Sequence, residues 1–364
     1  MIADLRIGIR TFAADSCFAD GVMRNISELR LDIVSGDWVV IATGRGKRPH
    51  DFGKKRGDHW WKRQKKSCPF EKLLPEALYV SLKNGDIHKP THKNVSFLKR
   101  DWFLQIVPNK FPAFGRGVCA VRRRAGPYFW EEGVGFHDVV VTRSHEQSLA
   151  LMSKDEVEMV IRAYRDRYIQ LKDDDCVEYV SIFHNHGPEA GASIAHPHSQ
   201  IISIPVIPPD VGRSIKGSAD FFRKHKKCVH CLMIEHELED GIRVIYEDEK
   251  FIAFVPYASR TAFEVRIFPK EHLPTFGSIH NSEITYLARA VKTVLGKLYK
   301  GLNNPSYNFF IHTSPVVHTA TFQHYHWHLE ILPKTAIWAG FELSTGIDIS
   351  TIAPEKAAAF LRKQ

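Results

Sequence analysis

The chain is poor in cysteine. It has six in 364 residues: Cys17, Cys68, Cys119, Cys176, Cys228 and Cys231. That is too sparse for a disulfide scaffold at this length, so reduced thiols and a cytoplasmic location are the default expectation. No apolar run is long enough to span a bilayer. Residues Met1 to Val22 have no sustained apolar core, which argues against a secretory signal. With Met23 just before the first well-patterned strand, they read as a loose arm or a mis-set start. A Walker loop is missing, as is a Rossmann glycine fingerprint in context, which argues against ATP hydrolysis and hydride transfer.

What remains is a soluble globular composition, 44% hydrophobic and 25% charged. The net charge of +9 favours anionic ligands without distinguishing nucleic acid from a phosphorylated metabolite.

The most informative stretch is rich in histidine. His184-Asn185-His186-Gly187 leads through a short link into His196-Pro197-His198-Ser199-Gln200, then Ile201-Ile202-Ser203-Ile204-Pro205. The apolar run reads as a buried strand closed by proline. Alternation puts His196, His198 and Gln200 on one face, with successive side chains about 7 Å apart. Two imidazoles and an amide are poor core material, because each carries polar atoms that need partners. The same device recurs in His324-Tyr325-His326-Trp327-His328, followed by Leu329-Glu330-Ile331-Leu332-Pro333.

The rest of the chain repeats in the same order. Leu29 to Thr43 reads as a β-hairpin with a tight turn at Gly36-Asp37. It delivers Gly44-Arg45-Gly46-Lys47-Arg48-Pro49, whose arginines can clamp phosphate or merely be solvated. Strands are expected within Asp101 to Phe114, at Phe136 to Thr142 and at Val177 to Phe183. Between them Ser153 and Glu156 form a capping box that opens a helix over Lys154 to Leu171. A polar, basic linker is expected after Pro209. Phe251 to Pro256 then echoes Phe103 to Pro108, and Glu264 to Phe268 echoes Asp138 to Thr142. A helix from about Ser282 to Tyr299 echoes the earlier one, and Tyr307 to Ile311 echoes Val177 to Ile182. We read an internal duplication. Strands with one helix per unit predict an α+β fold, an antiparallel sheet with helices packed on it. The tail from Gly340-Phe341-Glu342 to a helical end at residues 357–362 has no counterpart in the first unit.

Duplication gives each half the same metal ingredients: Cys68, Glu71, His145 and His196 in the first, Cys228, Cys231, His272 and His326 in the second. In the second, His324 and His328 stand beside His326 as alternatives. Four sulfur and nitrogen donors suit tetrahedral zinc, less so with a carboxylate at Glu71. If His196 is a ligand, His198 is left over. Neutral imidazole is a good nucleophile toward phosphorus near pH 7. Gln200, Ser193, backbone N–H groups near Gly191 and the arginines can stabilise charge on a transferring phosphoryl group. A competing reading is a zinc-stabilised nucleic-acid-binding protein that uses the basic, tryptophan-containing stretch from Lys54 to Lys66.

With these residues in hand, the chain from about Leu29 onward resembles the galactose-1-phosphate uridylyltransferases, a branch of the histidine triad superfamily. The resemblance rests on Arg45-Gly46-Lys47-Arg48-Pro49, Asn109-Lys110-Phe111-Pro112, Asn185, Gly191-Ala192-Ser193, His196-Pro197-His198-Ser199-Gln200 and Gly340-Phe341-Glu342 together. It implies two tandem histidine-triad-like units at residues 29–209 and 210–364, after an arm at 1–28. It implies ping-pong transfer, with His198 attacking UDP-glucose, holding a uridylyl group and passing it to galactose-1-phosphate. Gln200, Arg45, Arg48, Asn109, Asn185, Gly191, Ser193, Phe341 and Glu342 would bind substrate. Cys68, His145 and His196 would hold zinc, and a homodimer is implied. Glu71 departs from a common cysteine. Ser199, with the Cys228–Cys231 pair, points toward archaeal-type transferases and plant ADP-glucose phosphorylase, which moves an adenylyl group to phosphate.

Overall fold

The computed structural model describes residues 26–45, 65–91, 93–119 and 121–364. Its strands are β1 (Glu28–Leu31), β2 (Trp38–Ile41), β3 (Tyr79–Leu82), β4 (Ile87–His88), β5 (Trp102–Pro108), β6 (Arg123–Ala125), β7 (Tyr128–Trp130), β8 (Phe136–Thr142), β9 (Tyr179–His186) and β10 (His198–Ile204). They continue with β11 (Val244–Glu247), β12 (Phe251–Phe254), β13 (Val265–Pro269), β14 (Tyr307–His312), β15 (His328–Pro333) and β16 (Asp348–Ser350). The α-helices are α1 (Val95–Asp101), α2 (Lys154–Lys172), α3 (Pro209–His225), α4 (Val229–Asp240), α5 (Asn281–Gly301), α6 (Gly340–Thr345) and α7 (Pro354–Arg362).

An 11-stranded sheet runs β11-β12-β13-β15-β14-β9-β10-β8-β5-β3-β4. Its order is mirrored about the antiparallel β9–β14 pair, where Asn185 faces Asn308 and Phe183 faces Phe310. The expected duplication is therefore visible as two units sharing one α+β sheet. α2 and α5 cover the same face of it. Their apolar stripes, Val157, Val160, Ile161 and Tyr164 on one and Leu287, Val291, Val294 and Leu298 on the other, join Ile182, Ile201, Phe309 and Leu329 of the sheet in one core. The Ser153 capping box forms as expected. Glu156 N–H donates to Ser153 Oγ at 3.2 Å and Ser153 N–H donates to the Glu156 carboxylate at 2.7 Å, worth about 1 kcal/mol.

Because α2 and α5 take one face, alternation leaves the other to polar side chains. Along β10, Ser199, Ile201 and Ser203 are buried while His198, Gln200, Ile202 and Ile204 are half-buried. The first unit's free face thus carries His198, Gln200 and Asn185.

In the second unit the corresponding face is closed. The β1–β2 hairpin packs across it, with β16 running parallel to β2. The hairpin turn is wider than expected. It spans Asp32 to Asp37, closed by Gly36 N–H to Asp32 O at 2.8 Å, with Gly36 at φ +80°. Asp32 is paired with Arg266 at 3.1 Å. α3 seals the arrangement, and a Cβ at its Gly217 would sit 1.7 Å from the Val34 carbonyl oxygen.

Two expectations fail here. The linker after Pro209 is α3. Its Val211 and Ile215 are buried against Tyr179 and Tyr325, partners supplied from distant sequence. The thiols are not all reduced either, because Cys119 and Cys176 form a disulfide with Cα atoms 4.8 Å apart. The fold brings the loop after β5 onto the turn between α2 and β9. No helix among the described residues is long and apolar enough to cross a membrane.

Candidate active site and metal centres

Both expected metal sets assemble. In each, one donor atom from every residue lies within 4.8 Å of the others. The second set is the more telling. His272 Nε2 lies 2.7 Å from the Gln323 carbonyl oxygen, and His326 Nε2 lies 3.0 Å from that of Pro269. Each Nε2–H is thus a donor to a carbonyl, which turns the Nδ1 lone pair inward. Both Nδ1 atoms face Cys231 Sγ, at 3.4 Å and 3.6 Å. One S–H proton cannot serve two lone pairs, whereas a soft cation satisfies all four donors. Cys228, at the N-cap of α4, has its thiol pushed down by the Cys231 hydrogen bond. His324 instead points its Nε2 at the Ile215 carbonyl and His328 belongs to another cluster, so His326 completes the set.

The first set repeats the design. Cys68 precedes a 3-10 turn, Pro69–Glu71, as Cys228 precedes α4. His196 Nε2 donates to the Thr142 carbonyl at 2.6 Å, at the end of β8, just as His326 donates to Pro269 at the end of β13. Its Nδ1 faces Cys68 Sγ and Glu71 Oε1, each at 3.6 Å. Glu71 Oε1 is also 2.6 Å from His145 Nδ1. Burial pushes His196 down to about 4, so the ring is uncharged at neutral pH, the form a metal would need. A carboxylate oxygen is an accepted zinc donor, so the residues fit a metal here too.

His198 stands two residues on. Its Nδ1–H donates to the His196 carbonyl at 2.8 Å, which leaves the lone pair on Nε2. Burial lowers its pKa and keeps the ring neutral. Phe70, from the turn between Cys68 and Glu71, packs against both rings at 5.9 Å from His196 and 5.4 Å from His198. The turn that carries Cys68 and Glu71 therefore also shapes the environment of His198. Ser199 faces away from it. Its hydroxyl sits 2.5 Å from Tyr164 OH on α2 and 2.9 Å from His184 Nδ1, tying β9 and β10 to that helix.

The neighbouring amides are held in defined orientations. Asn308 donates from Nδ2 to Asn185 Oδ1 and to the Ala190 carbonyl, both at 2.8 Å, so the Asn185 NH2 is left for a ligand. Gln200 Oε1 lies 2.7 Å from His137 Nε2, and Asn109 Nδ2 lies 3.0 Å from the same nitrogen. Gly191 adopts φ +83°, which explains a glycine there. Its N–H is spent on Pro188 O and that of Ala192 on Gly187 O, so these two backbone donors are not the free ones expected. Ser193 is exposed beyond them.

Other expected residues lie elsewhere or go undescribed. Glu342 caps its own helix through the Ala339 N–H at 3.1 Å, beside the half-exposed Phe341. Arg45 ends a 3-10 turn, Thr43–Arg45, and Arg48 lies outside the described residues. So does nearly all of the basic stretch from Lys54 to Lys66. A cavity of about 660 Å³ lies between the Pro188–Ala190 turn and the Lys334–Trp338 segment. Leu332 in its wall is the cross-strand neighbour of Asn308, which is that of Asn185.

In the closed second unit, His328 stands where His198 stands and Glu330 where Gln200 stands. His328 Nδ1 points to the His326 carbonyl at 3.2 Å, and its Nε2 lies 3.2 Å from Glu330 Oε1. Arg260 and Arg266 approach the same carboxylate at 2.6 Å and 3.1 Å. Burial alone would raise the Glu330 pKa, yet Arg266 and Arg260 hold it well below the usual range. This ring is engaged and covered.

An uncharged imidazole with its lone pair on Nε2, beside a four-donor cluster that could hold a metal and flanked by amide donors, fits one class: a nucleotidyltransferase on an α+β scaffold. The comparisons agree. The family profile for "Galactose-1-phosphate uridyl transferase, N-terminal domain" matches residues 21–208, and that of a domain of unknown function (DUF4921) matches residues 123–363. An ADP-glucose phosphorylase from Arabidopsis thaliana is 33% identical, over 94% of this chain and 95% of the relative. A galactose-1-phosphate uridylyltransferase from Thermotoga maritima is 28% identical, over 92% of this chain and 98% of the relative. The crystal structure of an Arabidopsis thaliana ADP-glucose phosphorylase with bound ADP-glucose superposes with a TM-score of 0.73 at 30% identity, covering 93% of this chain and 99% of that one. The chain belongs to the galactose-1-phosphate uridylyltransferase family.

Proposed function

We propose that this protein moves a nucleotidyl group from a nucleotide sugar to a phosphate-bearing acceptor through a covalent bond to His198. The observation that carries this reading is the ring itself, with Nδ1–H committed to the His196 carbonyl at 2.8 Å and a neutral lone pair left on Nε2. Nε2 attacks the α-phosphorus. A P–N bond forms while the bond to the bridging oxygen breaks, and sugar-1-phosphate leaves. The ring is then cationic, and the His196 carbonyl facing Nδ1–H offsets that charge. An acceptor oxygen attacks the same phosphorus, the P–N bond breaks, and the ring returns to its neutral form.

The amides of Gln200 and Asn185 donate to phosphoryl oxygens, where charge builds in the transition state. Arg45, Arg48, Asn109 and Ser193 complete the substrate contacts, Gly191 serves to turn the chain between Asn185 and Ser193, and the adjoining cavity takes part of the sugar. Phe341 and Glu342 are assigned to substrate by their motif alone. Cys68, Glu71, His145 and His196, and likewise Cys228, Cys231, His272 and His326, would hold zinc in a structural role, neutralising the thiolates; in the first set His196 would tie down the end of the strand from which His198 projects.

On the first reading the donor is UDP-glucose and the acceptor galactose-1-phosphate. The second reading, ADP-glucose with phosphate as acceptor, is favoured by the higher identity to the Arabidopsis phosphorylase, 33% against 28%. The test is intact-mass measurement of zinc-loaded protein after incubation with each nucleotide sugar alone. A uridylyl or adenylyl adduct, mapped to His198 by peptide sequencing, is expected, and its mass names the base. An unchanged mass with both donors would sink the nucleotidyl-transfer reading.

A further inference from the structure

We infer that His137 is a positioning residue that fixes which end of the Gln200 amide meets the substrate. The inference rests on the nucleotidyl-transfer reading and goes beyond it. A glutamine amide is nearly symmetric in shape but opposite in chemistry at its two ends. Only the NH2 end can donate to a phosphoryl oxygen, and the carbonyl end would repel it. Something must therefore hold the amide the right way round.

The geometry assigns that task to His137, on β8 beside β10. The backbone N–H of Ala113 donates to His137 Nδ1 at 3.0 Å. Nδ1 must then carry the lone pair, so the proton of the neutral ring sits on Nε2. Asn109 turns its oxygen to the Phe111 N–H at 2.9 Å and its nitrogen to within 3.0 Å of Nε2, so it offers that proton no acceptor. The acceptor is Gln200 Oε1 at 2.7 Å. With its oxygen held there, Gln200 presents its NH2 to the same open face as His198. The loop that begins at Asn109 therefore sets a ring tautomer, the ring sets an amide, and the amide meets the phosphate. The Cys119–Cys176 disulfide anchors the far side of that loop.

The test is a double-mutant cycle read by the rate of nucleotidyl-His198 formation, in rapid-quench experiments with whichever donor loads the wild type. His137→Phe removes the proton and is expected to slow adduct formation at least tenfold, with the KM of the acceptor changed less than twofold. His137→Gln returns an N–H donor near the position of Nε2 and is expected to lie between His137→Phe and wild type. In a Gln200→Ala background, His137→Phe is expected to cost less than a further twofold, because its effect runs through Gln200. A His137→Phe rate within twofold of wild type would overturn the inference. So would a His137→Gln rate as slow as His137→Phe, or the full loss repeated in Gln200→Ala. Failure of the wild type to form any adduct is a separate outcome, which removes the functional reading itself.

Discussion

His198→Asn is expected to form no covalent adduct with any nucleotide sugar and to lose about 10⁴-fold or more in turnover, the scale seen when a covalent nucleophile is removed. Asparagine keeps an amide N–H near the position of Nδ1, so the bond to the His196 carbonyl survives and only the attacking atom is lost. His198 is absent from both four-donor sets, so metal content and thermal unfolding should match the wild type. Stability should stay within about 1 kcal/mol, since the ring is half-buried and its packing on Phe70 is one contact among several. The measurements are intact mass, steady-state turnover and calorimetry on one preparation. A variant that still accumulates adduct at the wild-type rate would move the nucleophile to another residue and undo the assignment.

The second large effect is expected at the other metal set. Cys231→Ser should remove about one equivalent of zinc per chain and lower stability by on the order of 5 kcal/mol, because the binding energy of a structural zinc is folding energy. The four donors come from the start of α4, from the segment after β13 and from His326, two residues before β15. Losing the ion frees all three at once and leaves buried lone pairs facing one another. A drop of roughly 10 °C or more in the unfolding midpoint follows from that loss. Metal analysis and scanning calorimetry, with a chelator-treated wild type alongside, check it. Purified protein without bound metal, melting together with the Cys231→Ser variant, would show the cluster to be a thiol–imidazole network instead.

Local and repeated signals were legible in the sequence. The Ser153–Glu156 box lies within one turn, and strand β8 was bounded at Phe136 and Thr142 because its apolar run stops there. Both metal sets could be composed by overlaying one half of the chain on the other, since duplication turns a distant ligand into an expected one. Features made by contacts between unrelated segments stayed hidden. α3 has a thin apolar stripe and a basic end, and it is stable because Tyr179 and Tyr325 come to it. Cys119 and Cys176 are 57 residues apart with no spacing to pair them. His137 is the second residue of an apolar strand, beside Asp138, an odd polar pair that could have drawn notice. Asp138 has a buried partner in Arg167 at 2.7 Å, so half of the signal is structural. The role of His137 needs Gln200, 63 positions away, to be its neighbour.

The closed half says something about the open one. Where the second unit places an acid two residues past the ring, that acid takes up the ring's only free nitrogen and draws two guanidinium groups in behind it. On the proposed mechanism, residue 200 is therefore expected to need a neutral as well as a polar side chain. A carboxylate there would favour a proton on Nε2, leaving no lone pair to attack phosphorus, and would push back against an anionic substrate. Where the open half has an amide NH2, the covered half has a second carboxylate oxygen, and two arginines hold that carboxylate.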